Sequence, residues 1–194
     1  HTTLGSNVLE REQAYIDAPV SDIFGFNALQ FGLPQYDLLR ASRIPTHLAL
    51  GPYRPARLLT DFECLAVASQ SVDLAVMPHV LEFSAAPHQI LREVERVLIP
   101  EGHVLITGFN PLSLWGAYHL FRRDGGDYPW RGKFISLPRL KDWLALLGFE
   151  VVAGKLACYA PPLQSGKWLT RMQFMEAAGD RWWTISGGVY FLQA

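Results

Sequence analysis

The residue best suited to chemistry closes an apolar run. In "VDLAVMPHVLEF" (Val72 to Phe83) His79 follows a nearly continuous apolar stretch, and Glu82 comes three residues later. Such a run reads as a strand buried on both faces, and open α/β sheets bind ligands at the carboxyl ends of their strands. An imidazole there is a candidate general base, because its charge changes near neutral pH. The alternative is a histidine held by local hydrogen bonds. Glu82 reads mainly as a structural partner near the loop, with polarising a bound acceptor as its other role.

Positioning such a residue takes a sheet, and the chain alternates accordingly. Gly5 to Phe24 carries Leu9, Ile16 and Val20 among polar residues, which predicts one or two amphipathic helices. Next come the strand "NALQFG", a turn at Gly32-Leu33-Pro34 and a helix beginning near Pro34. The runs "THLALG" (Thr46 to Gly51) and "ARLLTD" (Ala56 to Asp61) are second and third strands. After the His79 strand, Pro87 fits the first turn of a helix. Ile90, Leu91, Val94, Val97 and Leu98 form its apolar face, and Pro100-Glu101-Gly102 ends it. "HVLITG" is the next strand, followed by a helix with Asn110 as its cap and Pro111 as its first residue. A Gly-rich loop leads to a helix with Ser136 near its cap, Leu140, Trp143, Leu144 and Leu147 on one face, and Gly148 just past its end. A strand in "FEVVAGKLACYAPP", a helix over Trp168 to Ala178 and a final strand "GGVYFLQA" complete the chain.

This alternation predicts an α/β fold with a mostly parallel central sheet, helices on both faces and an antiparallel last strand. We expect a single domain over 1–194, with an N-terminal helical cap (1–24) and an α/β core (25–194). The core carries a lid segment around 111–135 and an insertion around 160–186. A chain of 194 residues, 49% hydrophobic and 18% charged, suffices for one sizeable core. Seventeen basic and 18 acidic side chains leave a net charge of -1, so no global field favours nucleic acid or membrane. Cys64 and Cys158 make no disulfide framework. The six scattered histidines lack metal-ligand spacing, so no metal is expected. With no apolar run near the ~20 residues of a membrane span and no signal-peptide pattern at the start, a cytoplasmic protein is expected.

Between Asp61 and Gly108 the chain resembles the class I S-adenosylmethionine (SAM)-dependent methyltransferases, in particular the type 11-like group and a less characterised bacterial branch of it. The resemblance is carried by "TDFECLAVASQSVDLAVMPHVLEF" and by "ILREVERVLIPEGHVLITGFNP", the latter similar to the family's L-R-E-x-x-R-V-L-K-P-G-G. It implies a Rossmann-like fold with SAM as cofactor. By position, Asp61 corresponds to the acid that accepts from the adenine amine, and Phe62 to the residue offering its backbone N–H to the ring. Met77, Pro78 and His79 correspond to the strand end beneath the methionine moiety. Gly32 matches the first glycine of the cofactor loop, with Leu33 in the turn, and Gln30 stands where the family commonly has an acid.

Three departures accompany the match: later loop glycines are absent, "LALGP" lacks the acid that pairs with ribose hydroxyls, and Phe83 replaces a histidine. SAM has no phosphates, so a single glycine can give the clearance it needs. A missing ribose hydrogen bond weakens binding by about 1–3 kcal/mol.

Transfer from an activated sulfonium asks mostly for positioning and desolvation. Asn110, besides capping, borders the expected acceptor site. Trp115, Tyr118, Tyr128 and Trp130 lie in or beside the segment that would cover it. Arg122, Arg123, Arg131, Lys133, Arg139 and Lys141 mark a basic region. The leading reading is a SAM-dependent methyltransferase acting on a small molecule. The alternative is a catalytically inactive relative with a binding or regulatory role, and the third is an RNA methyltransferase, so nucleic acid is a partner not favoured.

Overall fold

The computed structural model describes residues 3–121, 131–158 and 187–194. Its seven-stranded sheet has the order β3-β2-β1-β4-β5-β7-β6. The strands are β1 (Asn27–Phe31), β2 (Thr46–Gly51), β3 (Leu58–Leu59), β4 (Val72–Pro78), β5 (Leu98–Phe109), β6 (Ala153–Ala157) and β7 (Val189–Gln193). β3, β2, β1, β4 and β5 run parallel, whereas β7 is antiparallel to both β5 and β6. The expected α/β architecture with its antiparallel last strand is what the chain adopts.

Both sheet faces are covered, which is why the central strands read as continuous apolar runs. One face, carrying Leu29, Phe31, Ala75, Met77, Val104 and Ile106, packs on α2 (Pro87–Val97) through Ile90, Leu91 and Val94, and on α4 (Leu137–Leu146) through Leu140 and Leu144. The residues between them, Ala28, Leu74, Val76 and Leu105, face Ile16 and Val20 of α1 (Thr3–Asp22), together with Leu38, Leu39 and Ile44. The alternation follows from the period of two along each strand.

Three local expectations need correcting. No helix follows Pro34: residues 33–45 form turns. The Gln30 side chain supplies hydrogen bonds that a helix would have made itself. Its Nε2 lies 3.1, 3.0 and 2.9 Å from the carbonyls of Gly32, Leu33 and Tyr36, and its Oε1 accepts from Leu38 N–H at 2.9 Å. A glutamate at position 30 would set a carboxylate against those three carbonyls. Gln30→Glu should therefore lower unfolding free energy by about 2–3 kcal/mol, read as a lower urea midpoint.

The helix after β5 begins at Leu114, giving α3 (Leu114–Phe121). Its cap is Ser113, whose Oγ accepts from Gly116 N–H at 3.2 Å. Asn110 instead closes a turn, accepting from Leu112 N–H at 3.0 Å, and donates through Nδ2 to Gly187 C=O at 3.0 Å. Finally, β5 starts directly at Leu98, and Pro100-Glu101-Gly102 forms a register irregularity between the Val72–Leu98 and Leu74–His103 pairs. The expected helix at Trp168 to Ala178, along with Arg122, Arg123, Tyr128 and Trp130, lies outside the described residues.

Candidate functional site

In this strand order the chain leaves β1 toward β2 on one side and returns at β4 on the other. That reversal is where open α/β sheets form a crevice at the strands' carboxyl ends. A cavity of about 390 Å3 lies there, lined by Gly32 and Leu33 after β1, Pro52 after β2, Asp61, Phe62 and Glu63 after β3, and Pro78, His79 and Val80 at the end of β4. Phe83, Ser84, Ala85 and Ile90 complete it.

Gly32 has φ +70°, and a Cβ built there would meet nothing nearer than the Phe62 ring at 4.0 Å. Its open face thus gives a ligand room that any side chain would take. Leu33 shares the left-handed conformation at φ +45°, which costs a non-glycine residue about 1–2 kcal/mol. Asp61 is exposed at the rim, and its Oδ1 accepts from Glu63 N–H at 3.0 Å. Phe62 packs on Phe31, with ring centroids 5.4 Å apart. Of the other cofactor candidates, Met77 is fully buried in the core on the α2 side and is not among the lining residues. Gln30 is 2% exposed and its polar atoms are spent within the loop.

His79 sits between two carboxylates. Its Nδ1 lies 2.9 Å from Glu82 Oε2, and its Nε2 bonds Glu12 Oε1 from α1. The ring stacks on Phe109 at 4.0 Å, and all three polar side chains are buried. Glu82 also accepts from Phe109 N–H through Oε1. Burial opposes charge on the imidazole, but Glu12 and Glu82 outweigh it and push its pKa up to about 10. A ring protonated at neutral pH with both nitrogens engaged accepts no proton from a substrate. Both ring nitrogens are thus engaged inside the cluster. Nearby, burial holds the Tyr190 phenol well above its usual pKa, with Glu82 adding to the effect.

The described acceptor-side residues, Asn110, Trp115 and Tyr118, are not among those lining this cavity. Trp115 is buried, stacked with Phe109 at 5.7 Å, while Asn110 is buried as the latch to Gly187. Tyr118 is exposed on α3. Glu12 went unnoticed in the sequence; its signal is its spacing, one and two turns before Ile16 and Val20 on the buried face of α1.

This architecture is the class I methyltransferase fold. Over residues 44–106 the chain matches the family model described as "Methyltransferase domain". It is also 39% identical over 98 residues, half of this chain, to "Uncharacterized protein YafS" of Escherichia coli, spanning 41% of that protein's length. Among solved structures, a chain of a complex containing the Haloferax volcanii Trm112 methyltransferase activator superposes with a TM-score of 0.66. That match has 16% identity and covers 93% of this chain and 86% of the other. A SAM-dependent methyltransferase of Archaeoglobus fulgidus gives 0.65 at 17% identity, covering 95% and 93%. The segment matched by the family model contains Asp61, Pro78 and His79 and begins after the Gly32 turn.

Proposed function

We propose that the chain binds SAM in the cavity between Gly32, Asp61 and Pro78 and transfers its methyl group to a small molecule. The observation that carries this reading is the open face of Gly32 at the sheet's reversal point, directed into a cavity whose rim holds Asp61. The donor set fits the cofactor at its adenine end: the Asp61 carboxylate would accept from the exocyclic amine, and Phe62 would offer its backbone N–H to the ring. Gly32 would give clearance beside the cofactor.

When bound, the cofactor supplies an electrophilic methyl group on a sulfonium. The chain's own residues hold the ligand, shield it from water and orient it; none is required to take a proton, consistent with the engagement of both His79 nitrogens. This reading assigns catalysis to proximity and desolvation. Asp61→Ala should weaken binding of labelled SAM ten- to a hundredfold in equilibrium dialysis, the worth of a hydrogen bond to a charged group, about 1.5–3 kcal/mol. Equal binding by variant and wild type would contradict the assignment.

A second reading has an observation of its own. Gln30 spends its side chain on the loop and Pro52 follows β2, so neither strand end offers the cofactor a carboxylate. A binding or regulatory protein with weak SAM affinity is the function those two positions favour. Dialysis separates the readings, since this one expects no retention at millimolar SAM.

A further inference from the structure

α1 is tied to the chain on both sides of the cavity, to the segment that follows its β1 wall and to His79 in its β4 wall. On the β1 side, Gln13 Nε2 donates to Asp37 C=O at 2.9 Å, and Arg40 Nη2 to Asp17 at 2.5 Å, tying the helix to the segment after Gly32. On the β4 side, Glu12 holds Nε2 of His79, a residue that lines the cavity. Between these ties Ile16 and Val20 bury against Leu38, Leu39, Leu74 and Val76. We infer that Glu12 is a positioning residue of this cavity: from α1 it fixes the His79 ring, so the β4 wall keeps its shape only while the helix is docked.

The backbone supplies the reason. His79 has φ +51°, a left-handed conformation uncommon for a non-glycine residue, and its neighbours Pro78 and Val80 form the wall. Such a conformation persists when its surroundings over-determine it. Here the restraints are His79 N–H to Thr107 C=O at 3.1 Å, Nδ1 to Glu82, the stack on Phe109, and Nε2 to Glu12. Only the last comes from outside the β4–β5 region. Docking also carries a cost, because Glu12 Oε2 is buried without a hydrogen-bond partner and gains water when the helix lifts. Apolar burial thus favours the docked helix while one unsatisfied carboxylate oxygen opposes it.

The groups that set the charge on His79 are Glu12 from α1 and Glu82 from the short 3-10 helix Leu81–Phe83. β5 contributes Thr107 and Phe109, which do not titrate, and β7 contributes the neutral Tyr190 phenol beyond Glu82. The coupling concerns α1 and His79; only the identity of the ligand rests on the SAM reading.

The test follows the His79 ring by NMR from pH 5 to 10 in the full chain and in Glu12→Gln, with α1 amide exchange measured alongside. In wild type the ring should stay protonated beyond pH 9. In the variant its midpoint should fall by about 2 units, and exchange over residues 12–22 should rise at least about tenfold. Binding of S-adenosylhomocysteine should weaken about tenfold, a contact-free effect of reshaping. A wild-type ring titrating near 6.5 overturns the inference and needs no variant; so does a Glu12→Gln protein with unchanged ring titration and exchange. If Glu12→Gln does not fold, Glu12→Asp keeps the charge while withdrawing it from the ring, and is read by the same criteria. Should wild type bind no S-adenosylhomocysteine, the SAM reading fails while the ring and exchange measurements still decide the coupling.

Discussion

His79→Ala should lower unfolding free energy by about 3–5 kcal/mol at pH 6, the cost of leaving buried charge without its partner. The substitution removes the cation between Glu12 and Glu82 and leaves two buried carboxylates facing each other. A pH series separates this electrostatic loss from the loss of ring packing on Phe109. Because the folded ring titrates at about 10, above its unfolded value near 6.5, its contribution is complete below about pH 6.5. It is then lost as pH rises through about 10. Wild type should lose stability across that window, and His79→Ala should lack the corresponding slope. Urea denaturation at several pH values measures both; a cost below about 1 kcal/mol, or parallel pH profiles, would refute the buried ion cluster.

The second large effect belongs to Gly32→Val. At φ +70° a β-branched residue is strained by about 1–2 kcal/mol, and its methyl groups would occupy the space in front of the Phe62 ring. The fold should survive, because nothing else lies within 4 Å of the added Cβ. SAM retention should fall more than about a hundredfold, beyond the loss at Asp61, because the substitution removes room rather than one hydrogen bond. Gly32→Ala, with a single methyl, should fall between wild type and Gly32→Val. Undiminished retention by a folded Gly32→Val protein would place the ligand elsewhere.

What the sequence made legible divides along physical lines. The strand Val72–Pro78 was readable because a strand covered on both faces is apolar along nearly its whole length. The positions of Gly32, Asp61 and Pro78 around one cavity followed from parallel order, which brings strand ends together however far apart they lie in sequence. Side-chain hydrogen bonding was the illegible part. Asn110 and Ser113 are both competent caps, and only the path of the chain decides that Ser113 bonds Gly116 while Asn110 reaches Gly187. Gln30 was placed correctly at the end of β1, yet its amide turns inward to the loop carbonyls, a geometry that periodicity does not encode. Glu12 escaped because an amphipathic helix is read from its apolar residues, and a buried acid at such a position looks polar until its partner is known.

A crystal structure of the chain grown with S-adenosylhomocysteine tests the cofactor site most directly. The adenine should lie against the Asp61 carboxylate and the Phe62 backbone, with the homocysteine end passing Gly32 and Glu12 still bonded to His79. Ligand bound elsewhere, or a Gly32 cavity without ligand in crystals grown at millimolar concentration, would contradict this placement.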